Sequence, residues 1–198
     1  MNRARLVRGA VAAALLGPLL SLTALPSASA ANNSWPYVLL GGVSGQNYYV
    51  NGSALDWDSE IYSAKWLWGD ADAGVAWAKT TNSAYSRMDI YQSSSNGAYL
   101  GYCAGVFQYY GSSVWDPWTP PTHSWTYGKI LMSGDYGTCV GTHDVGALVH
   151  EMGHVMALYH SNPGATAIMR ADLVSADLPF GAPKLDDIND VNGIKFLY

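Results

Sequence analysis

Three histidines within eleven residues, His150, His154 and His160, constrain this 198-residue chain more tightly than any other feature. The segment Asp144 to Met156 has helical spacing. Val145, Leu148, Val149, Met152, Val155 and Met156 form a wide apolar face, and Thr142 or Asp144 can cap the start. Four residues along a helix is about 400° of rotation, so His150 and His154 project from one face about a turn apart. Were the helix to continue, His160 would lie about 15 Å along the axis from His150. To bring the three together, the helix must stop near Ala157 and a sharp turn must swing Leu158 and Tyr159 round.

Two imidazoles at i and i+4 can share one zinc ion, which is the chemistry behind an HExxH pattern. A catalytic zinc takes three protein ligands and keeps a fourth position for water. A downstream glutamate is excluded as the third ligand, because Glu60 and Glu151 are the only glutamates in the chain. His160 is then the leading candidate, and Asp172 is the alternative should the turn at Ala157 not form. Glu151 sits beside the histidine face and is suited to take a proton from zinc-activated water as general base, later returning it to a leaving amine.

These residues resemble the metzincin family of zinc endopeptidases, whose signature HExxHxxGxxH is matched at His150, Glu151, His154 and His160. Ala157 stands where the family has glycine. That glycine ends the helix in a left-handed conformation, which costs a residue with a Cβ roughly 1 kcal/mol. Thr166-Ala167-Ile168-Met169 is similar to the family's Met-turn, with Met169 as an apolar floor for the imidazoles. The tail from Leu185 to Tyr198 is similar to the closing helix of the matrixin (matrix-metalloprotease-like) branch, and Met88-Asp89-Ile90-Tyr91 to a matrixin strand. The specific motifs occupy the last third of the chain.

The resemblance implies an α/β (α+β) metzincin-like catalytic domain: a mixed, mostly parallel twisted sheet with an active-site helix, a Met-turn and a C-terminal helix. It implies a secreted zinc metalloendopeptidase acting on a protein or peptide substrate, with His150, His154 and His160 as metal ligands and Glu151 as the catalytic residue. By the same analogy Arg170 to Pro183 walls a substrate pocket, with Leu173, Val174, Leu178 and Phe180 as candidate lining. One of Asp186 and Asp187 would meet an amino terminus near Ala31. Arg170, Ala171 and Asp172 stand where some metzincins place a tyrosine after the Met-turn, so oxyanion stabilisation falls to zinc and backbone donors.

The rest of the chain sets the context. Arg3, Arg5 and Arg8, an apolar run from Val11 to Leu25 and Ala28-Ser29-Ala30 read as a secretory signal over residues 1–30, leaving one domain over 31–198. No pro-segment or inhibitory cysteine motif is expected between the signal and Trp35. The remainder carries seven basic and fifteen acidic side chains, a net charge of −8, which argues against a nucleic-acid partner. No later apolar run is long enough to span a bilayer, and a soluble, extracellular monomer is expected. In an oxidising compartment Cys103 and Cys139 should pair.

Short β-like runs fall at Tyr48–Val50, Met88–Tyr91, Gly105–Tyr110 and Lys129–Met132, with helix expected over Asp72–Lys79 and Asp186–Leu197. His123 and His143 read as surface or helix-start histidines, and no second zinc site emerges from them with Asp135 and Asp144. Calcium is an option at Asp56, Asp58 and Glu60, or at Asp70 and Asp72, although such clusters are more often merely solvated. Two rival readings stand beside the peptidase: a non-catalytic protein- or glycan-binding module, suggested by 8 Trp and 14 Tyr, and a zinc hydrolase of non-peptide amides.

Overall fold

The computed structural model describes residues 34–95, 103–115, 120–161, 167–169 and 190–198. Six strands form one sheet: β1 (Gln46–Val50), β2 (Trp77–Thr80), β3 (Met88–Gln92), β4 (Ala104–Tyr110), β5 (Ser113–Trp115) and β6 (Tyr127–Met132), in the order β2-β1-β3-β6-β4-β5. The first four in that order are parallel, while β4 runs antiparallel to β6 and β5 antiparallel to β4. The fold is thus mixed α/β with a mostly parallel sheet, as expected. All four anticipated strands form, each within two residues of the expected bounds.

Side-chain alternation drives this pairing, because a strand places successive residues on opposite faces. Along β6, Gly128, Ile130 and Met132 are buried while their neighbours are half-buried. Ile130 stands in register with Ile90 on one side and Val106 on the other, giving a continuous apolar seam beneath the helices.

Four α-helices are described: α1 (Asp58–Asp70), α2 (Tyr136–Val140), α3 (Asp144–Val155) and α4 (Asn192–Leu197). The helix expected over Asp72–Lys79 does not form. Asp72 and Gly74 both have positive φ, and from Ala73 to Trp77 burial alternates residue by residue, so the segment is a turn leading into β2. The crossover helix lies earlier, as α1, which buries Ile61, Ala64 and Trp68 while exposing Tyr62 and Trp66. Those exposed aromatics blur its apolar stripe in the sequence. The closing helix begins at Asn192 among the described residues, with Val191 and Ile194 buried. Asp186 and Asp187 lie outside the described residues, as do residues 1–30 and the expected pocket wall at 170–183.

Helix α1 packs on α3, and α3 packs on β4 and β6. Cys103 and Cys139 form the expected disulfide, tying the start of β4 to α2 just ahead of α3. An extended strap leads into the domain: Ser34 bridges to Leu158 and Leu39 to Trp125. Among the described residues no helix is long and apolar enough to cross a membrane.

Candidate metal centre

Helix α3 carries His150, Glu151 and His154 and ends one residue later. Its start is not capped as expected: His143 takes the cap position without a side-chain bond, and Asp144, already helical, accepts from the Val145 N–H at 2.8 Å. The far end satisfies its carbonyls by side chains from elsewhere. Gln108 Nε2 donates to His154 O at 3.3 Å and Trp125 Nε1 to Val155 O at 3.0 Å. The strap's Trp35 N–H donates to Ala157 O at 3.0 Å. Backbone carbonyls left over at a helix terminus need such partners when buried.

Ala157 makes the turn. Its φ is +75°, and Leu158 N–H returns to Gly153 O at 3.0 Å, closing the helix in the left-handed manner that glycine usually provides. The Ala157 side chain is fully buried, so the methyl group gains packing that offsets part of the backbone cost. The chain then reverses and His160 comes back to the helix.

The three Nε2 atoms converge. His160 Nε2 lies 3.3 Å from His150 Nε2 and 3.1 Å from His154 Nε2, and one nitrogen from each ring falls within 4.8 Å of the others. On the far side of the rings, His150 Nδ1 donates to Ile168 O and His154 Nδ1 donates to Leu158 O, each at 2.8 Å. Burial holds His150 down at about 4 and lowers His154 and His160, so all three are neutral at physiological pH. With protons committed to Nδ1 on His150 and His154, their Nε2 atoms present lone pairs toward His160. Neutral nitrogens so placed could hold a cation between them. Zn–N bonds of about 2.0–2.1 Å in tetrahedral geometry separate nitrogens by roughly 3.3 Å, which is the spacing found here.

Glu151 is half-buried beside His150, and burial pushes its carboxyl up to about 8. Below the rings, Ala167, Ile168 and Met169 are buried. A Cβ built on Gly153 would collide with Met169 Sδ, so glycine at this position lets the methionine sit directly against α3. Ser161 N–H donates to Met169 O at 2.7 Å, linking that turn to the segment bearing His160.

Two contributors escaped the reading of the sequence. The Asp190 carboxylate is fully buried and accepts from Ile168 N–H at 2.9 Å and Met169 N–H at 3.4 Å. Its signal was an acidic residue four positions before Ile194, on the buried face of the closing helix. Trp35 stacks on His154, with ring centroids 5.6 Å apart and planes at 29°. Nothing in the local pattern marks it.

His123 lies apart on the surface, where Tyr37, Tyr110 and Trp115 stack around it. Asp58 is paired with Lys79 and Asp72 with Lys195, so two of the acidic residues considered for calcium hold lysines. Asp172, the alternative third ligand, lies outside the described residues. Among the described residues, His150, His154 and His160 form the one cluster able to hold a metal ion. A comparison of this chain with protein-family profiles and another with curated proteins find no match.

Proposed function

We propose that this chain is a secreted zinc-dependent endopeptidase of the metzincin type, matrixin-like in its Met-turn and closing helix. The supporting observation is the convergence of three neutral imidazoles, with Glu151 next to His150 along the same helix. A three-histidine set with an open face suits zinc. A divalent cation held there supplies Lewis acidity, acidifying water and polarising an amide carbonyl.

The chain's own residues would then divide the work. His150 and His154, fixed through Nδ1, and His160 hold the ion. Glu151 takes the proton from the attacking water on its carboxylate and delivers it to the departing amine nitrogen. Burial favours its protonated form, and a cation held by the three histidines would favour the carboxylate, the form a general base needs. The Cys103–Cys139 disulfide fits an extracellular setting.

The test compares the purified protein with Glu151→Ala, measuring bound zinc by elemental analysis and cleavage of a broad peptide library. One equivalent of zinc in both, with cleavage by the parent alone, is the expected result. Zinc in both without cleavage by either favours a binding module or a hydrolase of other amides, and absence of zinc overturns the metal reading.

A further inference from the structure

We propose that Trp35 is a positioning residue of the three-histidine centre and that the strap carrying it is a working part of that centre. This rests on the metal reading above.

The strap is stitched down on both sides of the indole. Ser34 bridges to Leu158, Trp35 N–H donates to Ala157 O, and Leu40 N–H and Val38 O are bonded to the backbone of Trp125. Farther along, Leu39 N–H donates to the Tyr198 hydroxyl at 2.9 Å, so the closing helix also holds the strap. These bonds clamp the left-handed turn on which the return of His160 depends.

The indole itself fills the angle between the second histidine and the returning chain. It stacks on His154, meets Trp125 edge-on at 5.8 Å and tilts against Tyr159 at 5.8 Å. Tyr159 in turn lies against His160, 5.6 Å between centroids. Trp35 therefore touches one candidate ligand directly and another through a single ring. Hydrogen bonding does not explain its placement, since the buried Nε1 has no partner among the described residues. A buried donor without an acceptor is unfavourable, so the ring is held by its faces and by the strap backbone. The Nδ1 bond to Leu158 O fixes one edge of the His154 ring, and the stacked indole packs against its face, adding a second restraint from outside the helix.

This predicts that ring shape matters and the indole N–H does not. The experiment measures Co²⁺ affinity by chelator competition, with the visible Co²⁺ spectrum, for the full-length parent, Trp35→Phe, Trp35→Leu and Trp35→Ala. Orienting partners of metal-binding histidines typically change affinity by about 10–100-fold. Trp35→Phe should stay within about threefold of the parent, whereas Trp35→Leu and Trp35→Ala should bind at least about tenfold more weakly, with an altered spectrum. If Trp35→Ala does not fold, Trp35→Leu, which keeps most of the buried volume, carries the comparison. Val50→Ala in β1 lowers stability without touching the centre and should leave affinity and spectrum unchanged.

A parent that takes up no metal overturns both this proposal and the metal reading. A parent that binds Co²⁺ while Trp35→Leu binds it equally well overturns the positioning role alone, as does a Trp35→Phe variant as weak as Trp35→Leu.

Discussion

Asp190 offers the sharpest test of how the centre is held. Its carboxylate is fully buried and accepts from the Ile168 and Met169 N–H groups, whose carbonyls in turn receive His150 Nδ1 and Ser161 N–H. Truncation to alanine strands both amide donors away from water. A buried donor without a partner costs about 1–3 kcal/mol, and the 3.4 Å contact to Met169 is worth the low end of that range. Asp190→Ala should therefore lose about 2–4 kcal/mol, a large share of the roughly 5–15 kcal/mol typical of a domain. Asp190→Asn keeps one acceptor oxygen and should lose about half as much. Urea unfolding of the chelator-treated proteins measures the loss. Because the same turn orients His150, zinc affinity should also fall by about 10–100-fold. A stability change below about 1 kcal/mol together with unchanged zinc affinity would refute the assignment of Asp190 as the anchor of this turn.

Local geometry at Gly153 and Ala157, and burial at Tyr48, set further expected outcomes. Gly153→Ala drives a methyl group into Met169 Sδ and toward Trp68, so it should destabilise by about 1–3 kcal/mol despite better helix propensity; pairing it with Met169→Ala in a double-mutant cycle should return most of that loss. Ala157→Gly relieves about 1 kcal/mol of left-handed strain but gives up a buried methyl group and gains unfolded-state freedom, so unfolding experiments should find it within about 1 kcal/mol of the parent. Ala157→Val, branched at Cβ, should lose more than about 2 kcal/mol at the same φ. Tyr48 is buried and its hydroxyl is pushed up to about 12, mainly by burial and then by the charge of Asp58. A raised phenol pKa contributes stability that is complete below pH 10 and lost as pH rises from 10 toward 12; alkaline unfolding curves of Tyr48→Phe should lack about 2 kcal/mol of the parent's decline across that window.

The contrast between α3 and α1 shows where pattern suffices. Helix α3 places six apolar residues at helical spacing and was legible with its ends, whereas α1 spreads Tyr62 and Trp66 over its solvent face and left its buried stripe of Ile61, Ala64 and Trp68 obscured. The stretch before β2 misled in the opposite direction. Ala71, Val75, Ala76 and Lys79 fit a helical period, but positive φ at Asp72 and Gly74 breaks the helix before it can start.

The shared face of His150 and His154 was determined by sequence alone, because helical geometry fixes where residues i and i+4 point whatever surrounds them. The stop at Ala157 could be demanded from the sequence but not demonstrated. Its cost is met by burial of the methyl group, by Trp35 N–H and by the chain returning to Gly153 O, and these are long-range facts. What Asp190 and Trp35 contact was decided by the tertiary structure. Asp190 acts 21 and 22 residues away and Trp35 more than a hundred. Local periodicity records which face of an element is apolar; which distant carboxylate or ring meets that face is decided when the elements pack together.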